Sequence, residues 1–485
     1  LHYYLRLRSK QLIPMHKAIL TIFLFSAFRI SAQTAEKWDL QKCIDYALDN
    51  NVSVQQNELQ GEILNNNLRQ AQLSRVPSLN GSGSHAYNIG RAIDPFTNTF
   101  DNATIQNNSF SLSSGVLLYG GSQINNTIKQ NKLGTRVNDE SSEVIRNQIA
   151  LSVASTYLQI VQAEENLNVA ETQKQITKSQ LDRATKLVAS GSSNRSAELS
   201  LRAQLANDQV SIISSQNAIQ IGYNTLMNLM QYPLDEALEI EQVAIANLPE
   251  IGTESVADIY QQALLNLPEI RQAELQIEQG KVGEKLAGAG LQPTLSAFGN
   301  INTVYSQSGK QVTTTDDIEL FPIGFTENNL EPVISARNKT IITNKAFSKQ
   351  LSDNLGQQVG LSVSVPIFNG YRSRTAVQNA RVNSKINKLN LDNTKNQLRN
   401  DVTTAYTNLK TAKSRHNAAT ISEKAQRLNF EFAHKRFEAG ASNNVDLLTA
   451  KNQWSQAQIQ LLNAKYEFVF RTLIINFYKG KELKL

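Results

Sequence analysis

The sequence predicts an α+β membrane protein in which four short β-strands lead into very long α-helices, with the whole pattern written twice. Three observations carry the prediction: alternating apolar segments of membrane-crossing length, proline-free helical stretches of about 70 residues, and an internal repeat at fixed offsets. A length of 485 residues would by itself suggest several globular domains. Ten prolines, 7% aromatic and 40% apolar residues fit long helices burying a narrow stripe better than thick cores. The periodic placement of the apolar residues argues against disorder.

At the N-terminus, Met15, His16 and Lys17 precede the apolar run AILTIFLFSAF and then Arg29-Ile-Ser-Ala32, the layout of an export signal cut after Ala32. Residues 1–32 are read as this signal peptide, with 1–14 as an upstream extension. The segment holds five basic residues and no acidic one. Of 48 basic and 42 acidic residues in the chain, the remainder therefore keeps 43 and 42 and is nearly neutral. Such a chain lacks the localised cationic surface that nucleic-acid binding requires. Beyond the signal no apolar run reaches the ~18 residues of a membrane helix. Cys43, the single cysteine, can form no internal disulfide and lies too far past the cleavage site to carry a lipid.

The repeat divides the rest into a first copy (33–230), an inter-repeat segment (231–255), a second copy (256–479) and a tail (480–485). Glu58-Leu59-Gln60, Ala71, Pro77, Leu79 and Gly83 recur as Glu274-Leu275-Gln276, Ala287, Pro293, Leu295 and Gly299, an offset of 216. Gly121, Gly191 and Arg202-Ala-Gln recur as Gly370, Gly440 and Lys451-Asn-Gln, an offset of 249. The second copy has therefore gained 33 residues. They are placed within 306–356, a Thr-, Asn-, Ser- and Asp-rich segment with the composition of an exposed loop.

Each copy reads as helices, a strand, a loop, a strand, a very long helix, a glycine turn and a second long helix. The strands are expected at Leu79–Ile89, Ser109–Tyr119, Leu295–Tyr305 and Gln357–Phe368, near the ~9–11 residues a tilted strand needs to cross a bilayer. In the last, Val359, Leu361, Val363, Val365 and Ile367 alternate with Gly360, Ser362 and Ser364. Pro77, Gly121, Pro293, Pro366 and Gly370 mark the junctions of strand and helix, because proline is tolerated at strand ends and glycine permits a sharp redirection. The long helices, about 121–190 and 371–439, would each reach ~100 Å at ~1.5 Å per residue. Ile145, Ile149, Val153, Tyr157 and Ile160, and again Val402, Tyr406 and Leu409, give each a coiled-coil-like seam. Ala, Ser and Thr around the seams let helices approach closely.

A two-stranded hairpin cannot stand in lipid with its edge N–H and C=O groups unpaired, so a closed barrel is required. Two hairpins supply four strands, and about eight is the minimum for a single-chain barrel of this kind. Several copies must therefore share one barrel, with the helices forming a second tube outside the membrane. No catalytic or cofactor chemistry is visible. His85, His416 and His434 have no partner at metal-ligand spacing, and no phosphate loop, G-x-S-x-G or nucleophilic cysteine is present.

P-S-L at Pro77, P-T-L at Pro293, LLYGGS at Leu117, VPIFNGYRSR at Val365 and above all RFEAGASNNVDLLTAKNQWSQAQ from Arg436 to Gln458 resemble the TolC-type outer-membrane efflux and secretion channels of Gram-negative bacteria. The resemblance covers nearly all of the chain after the signal. It implies a homotrimer with a 12-stranded barrel, four strands per protomer, in outer-membrane lipid, and an α-helical tunnel across the periplasm. It also implies a periplasmic adaptor and an inner-membrane transporter as partners. The turns Ser190-Gly191-Ser192 and Ala439-Gly440-Ala441 would be the tips that meet the adaptor. Asp446 matches an acid that rings the tunnel constriction, where three copies would favour cations. Phe437 stands where the family often has a latching tyrosine, Thr449 at a second acidic position and Ser442 at a latching arginine. In the first copy Ala197 replaces an expected acid, with Glu198 adjacent.

Each of these has a plainer reading. Asp446 also suits the N-terminus of the last helix, with Asn443 or Asn444 as cap, and Lys435 and Arg436 suit the C-terminus of the preceding one. Tyr371, Arg372 and Arg374 fit either a headgroup interface or polar helix surface. For the whole chain, the alternative to an export duct is an exported coiled-coil adhesin or structural protein, which would not need four membrane-length strands.

Overall fold

The computed structural model describes residues 37–93, 98–102, 104–242 and 252–484. The signal segment and residues 243–251 of the inter-repeat segment lie outside the described residues. The first copy supplies helices α1 (Leu40–Asn50) and α2 (Val52–Leu73), strands β1 (Ser78–Asn88), β2 (Arg91–Ile93), β3 (Phe100–Asn102) and β4 (Ile105–Gly120), and helices α3 (Gln123–Ala189) and α4 (Arg195–Met230). The second supplies α5 (Val256–Asn266), α6 (Pro268–Ala289), β5 (Thr294–Ser306), β6 (Lys310–Phe325), β7 (Pro332–Asn344), α7 (Phe347–Asp353), β8 (Gly356–Ser364), α8 (Arg372–Glu438) and α9 (Asn444–Tyr478). The two long helices α3 and α8 have 67 residues each, as the repeat requires.

The chain forms two compact units that cut across the repeat, each drawing on both copies. One contains the segment ending at Glu58, Ser141–Pro268 and Lys395 onward. Its core gathers Cys43, Ile44 and Ala47 of α1, Ile149, Val153, Tyr157 and Ile160 of α3, Leu226 and Met230 of α4, and Tyr466 and Val469 of α9. The predicted α3 seam is thus buried from Ile149 to Ile160 and partly buried at Ile145, and in α8 Val402 and Leu409 are buried and Tyr406 partly so. The Tyr157 hydroxyl donates to the Glu241 carbonyl at 2.7 Å, so the ring is buried without stranding its polar end. Burial pushes the Cys43 thiol up to about 12, so it packs as a small hydrophobe.

The other unit, Leu59–Glu140 with Glu269–Thr394, holds the strands. Its helices pack closely through small residues: a Cβ on Gly280 would lie 3.3 Å from Ser384 Cα and 2.9 Å from Asn387 Nδ2. Four strands form one antiparallel sheet in the order β1-β4-β5-β8. Strand β8 stops at Ser364 and not at Phe368; Pro366 lies beyond it, where the missing N–H breaks the ladder. Strand β4 is longer than expected and bulged between Leu117 and Tyr119.

The expected loop insertion is instead mostly ordered β-structure. β6 and β7 pair over most of their lengths as an antiparallel ribbon, which the loop-like composition concealed because Thr and Ile favour strands. Its root is fixed to β5, since Gln350 of α7 accepts from Ser306 N at 3.0 Å and donates to the Lys345 carbonyl at 2.9 Å.

Candidate functional site

Two sites follow from this frame. The first is the sheet. Cross-strand register places Leu79 and Tyr87 of β1, Phe110 and Leu112 of β4, Leu295, Ala297 and Ile301 of β5, and Val359, Leu361 and Val363 of β8 on one face. Val359 is 89% exposed, Leu361 67% and Leu79 69%, so this apolar face is uncovered in the protomer. The opposite face carries Asn80, Ser82 and Ser84, Ser109, Ser111 and Ser113, Asn300 and Asn302, and Ser362. Ser82 pairs with Ser111 and Ser84 with Ser109, each at 2.7 Å.

Aromatic residues bound the apolar face. Tyr119 lies opposite Leu295 at one end, and Tyr305 lies opposite Asn108 at the other, with Tyr87 on the same face. Ten residues of β5 separate the two levels. At ~3.3 Å per residue and a ~40° tilt the band is ~25 Å tall, the height of the lipid-facing zone of an outer-membrane barrel between its aromatic girdles.

Strand turns to helix through two consecutive residues of positive φ: Gly121 (58°) and Ser122 (64°), then Gly370 (63°) and Tyr371 (66°). The sequence marks the glycines but not their partners, and a bulky tyrosine there is strained. At Gly121 a side chain is also excluded by space, because a Cβ would come within 2.7 Å of Gln292 Cγ. Pro77 and Pro293 directly precede β1 and β5, where no ladder donor is lost.

The second site is the pair of helix-hairpin tips. Gly191 has φ 73° and Gly440 φ 72°, and no atom lies near enough to hinder a Cβ at either. Backbone conformation alone therefore selects glycine. Ser192 N donates to Leu187 O and Ala441 N to Arg436 O, both at 2.8 Å, closing matching helix ends. Asn194 and Asn443 then cap the next helices, Asn443 accepting from Asp446 N at 2.9 Å. Asn443 is the cap; Asn444 is the first residue of α9 and is buried.

Asp446 and Thr449 are exposed, and Ser442 Oγ donates to the Asp446 carboxylate at 3.2 Å. Phe437 is half-buried against the cluster of Phe430, Leu447 and Ala450. Arg436 is exposed, and the structure assigns it a carbonyl that ends the helix. Glu198 is joined to Arg202 at 2.6 Å and not to Asp446. Of the sequence-predicted gate residues, only Asp446 and Ser442 are brought into a direct bond. Ser190 Oγ caps the Leu187 carbonyl at 2.9 Å, and Ala439 donates to Lys435 O at 3.0 Å, so both act in the turns themselves.

A buried charge pair among the same helices was not foreseen. Lys451 Nζ of α9 lies 2.7 Å from Asp208 Oδ2 of α4, with the two side chains 1% and 8% exposed. Thr177 of α3 donates to the same carboxylate, and Gln204 Nε2 donates to its other oxygen at 2.8 Å. Burial lowers the Lys451 pKa, and Asp208 opposes that shift. The available signal was periodicity: Lys451 follows Leu447 by four residues and Asp208 precedes Ile212 by four, each a polar residue in a buried stripe.

A sheet with one apolar face of bilayer height and one face of hydroxyl and amide side chains is the stave of a membrane channel subunit. Residues 43–230 and 259–469 match the outer membrane efflux protein family, and the chain belongs to that family. Membership places it in the outer membrane of a Gram-negative bacterium, with the helices as the periplasmic extension. Among solved structures it resembles CusC (TM-score 0.73, 16% identity, covering 92% of this chain and 93% of that one). It also resembles VceC of Vibrio cholerae (0.68, 16%, 92% and 97%) and the CmeC outer membrane channel of Campylobacter jejuni (0.68, 19%, 92% and 87%). The alkaline protease secretion protein AprF of Pseudomonas aeruginosa is 27% identical over 139 residues; this match spans 27% of the chain and 29% of that relative. Among the described residues no helix is long and apolar enough to cross a membrane, and no group of His, Cys, Asp and Glu could hold a metal ion.

Proposed function

We propose that the protein is a passive export duct of a tripartite efflux pump or a type I secretion system, working as a homotrimer. The observation that carries this reading is the sheet. It has an apolar face of bilayer height, a Ser/Asn face suited to water, and two open edges, β1 and β8. Unpaired edge groups in lipid cost several kcal/mol each, so other copies must supply the neighbours. Three copies give twelve strands, enough to close a water-filled barrel. The helices continue the conduit in the periplasm, a periplasmic adaptor engages the tips around Gly191 and Gly440 to open it, and an inner-membrane transporter supplies energy and selects cargo. Asp446, exposed in the first turn of α9, is the residue of this tip suited to ring a constriction with negative charge.

Single-channel recording in planar bilayers tests the duct. Cation-preferring conductance is expected, and Asp446→Asn should reduce that preference and weaken block by multivalent cations. Insertion without conductance would refute the duct, and unchanged selectivity in the variant would reduce Asp446 to a helix-terminus acid.

A further inference from the structure

On the hydroxyl and amide face of the sheet, one residue breaks the pattern. Phe298 of β5 lies there between Ser296 and Asn300, opposite Gly115 of β4 on one side and Gly360 of β8 on the other. Among the described residues paired in the four strands, it is the only aromatic side chain on this face. The ring reaches across to lie over Gly360, where a Cβ would meet Phe298 Cζ at 2.7 Å and Cε1 at 3.0 Å. A Cβ on Gly115 would meet nothing nearer than the Ala297 carbonyl oxygen at 3.8 Å, so the ring leans toward β8 and the space above Gly115 is open. Leu117, opposite Ser296, adds a second apolar side chain to the same face.

The internal repeat shows what the fold alone requires at this level. Ser82 and Ser111 of the first hairpin, advanced by 216 and 249, become Phe298 and Gly360. In the first hairpin the pair is joined by a hydroxyl–hydroxyl bond of 2.7 Å. A serine pair therefore satisfies the same register in the same sheet, and the second copy holds in its place a ring and the glycine that gives the ring room. A glycine weakens a strand interior, and an aromatic laid over it restores part of the loss. The serine pair needs no such repair, so sheet stability does not account for the exchange.

Resting on the reading that the apolar face meets lipid and three copies enclose the other face, we infer that Phe298 is a binding site inside the barrel for aromatic groups carried by the cargo. Three copies set three such rings at one strand level, alternating with three serine pairs. Phe298 is half-buried, so part of its ring stays open to the lumen. A ring held in this way takes a second ring in offset or edge-to-face contact, and the missing side chain at Gly115 leaves space beside it. Ser296, Asn300 and Ser362, next to the ring on the same face, offer hydrogen bonds to the polar part of the same cargo. The shared chemistry is an aromatic ring, whether on a free small molecule or on a polypeptide side chain.

Current blockades by peptides test this, with the full chain reconstituted in planar bilayers. Short Gly/Ser/Lys peptides that differ only in a single Trp or Ser are added at the β6–β7 end of the barrel. In the unaltered protein the Trp peptide should dwell about three- to tenfold longer than the Ser peptide, the range of one aromatic contact. Phe298→Ser with Gly360→Ser, which writes the first-copy pair into the second hairpin, should abolish the difference, and Phe298→Trp should retain it. Phe298→Leu keeps an apolar cover on Gly360 without the aromatic ring, and serves as the second variant should the double change fail to insert; it should also lose the difference. Excess N-acetyltryptophanamide assigns the source: competition with the Trp peptide means that free aromatic molecules use the site, and undiminished dwell confines it to polypeptide side chains. Equal dwell of the two peptides in a conducting channel, or a difference that survives loss of the Phe298 ring, overturns the site and leaves the duct standing. Insertion of the unaltered protein without conductance overturns both.

Discussion

At the scale of single residues, the tip combines conformational demand with one costly buried interaction. Lys451, Asp208 and Thr177 come from three helices, and removing one charge leaves the other uncompensated in a desolvated site. Asp208→Ala should therefore destabilise the helical unit by about 3–5 kcal/mol, whereas the double change Lys451→Met with Asp208→Leu should recover most of that loss. Thermal unfolding followed by circular dichroism, compared across the single and double variants, checks this; equal loss in both would mean the pair contributes only packing. The tip glycines were legible in the sequence because positive φ leaves a residue signature. The ion pair was not, since its partners lie far apart in sequence and each alone reads as a solvated charge.

At the scale of elements, the repeat made nearly every helix and sheet strand predictable, and what it could not supply was the insert, which has no counterpart in the first copy. There composition gave the wrong answer, because Thr, Asn and Asp mark loops while the intervening Ile and Val form a ribbon. Uneven alternation also hid the aromatic limits of the sheet: β1 has glycines at Gly81 and Gly83 where apolar residues would have shown the face. With the faces known, opposite outcomes are expected from one chemical change. Val359→Arg, near mid-height of the apolar band, should cost about 2–4 kcal/mol and reduce the membrane-inserted fraction. Ser111→Arg, on the hydroxyl face, should insert normally and shift ion selectivity toward anions. Fractionation together with bilayer recording compares the two; equal tolerance would contradict the assignment of faces.

At the scale of the whole molecule, the repeat and the compact units describe different things. The sequence repeat records two equivalent copies, while the packing gathers like parts of both copies into one strand-bearing unit and one helical unit. Among the described residues the sheet does not close within one chain, and under the proposed trimer the membrane form depends on association. The most direct test of that dependence is the mass of the purified protein in mild detergent, by native mass spectrometry. Three chains per particle are predicted, persisting on dilution; a stable single-chain particle that still inserts into bilayers would contradict the account.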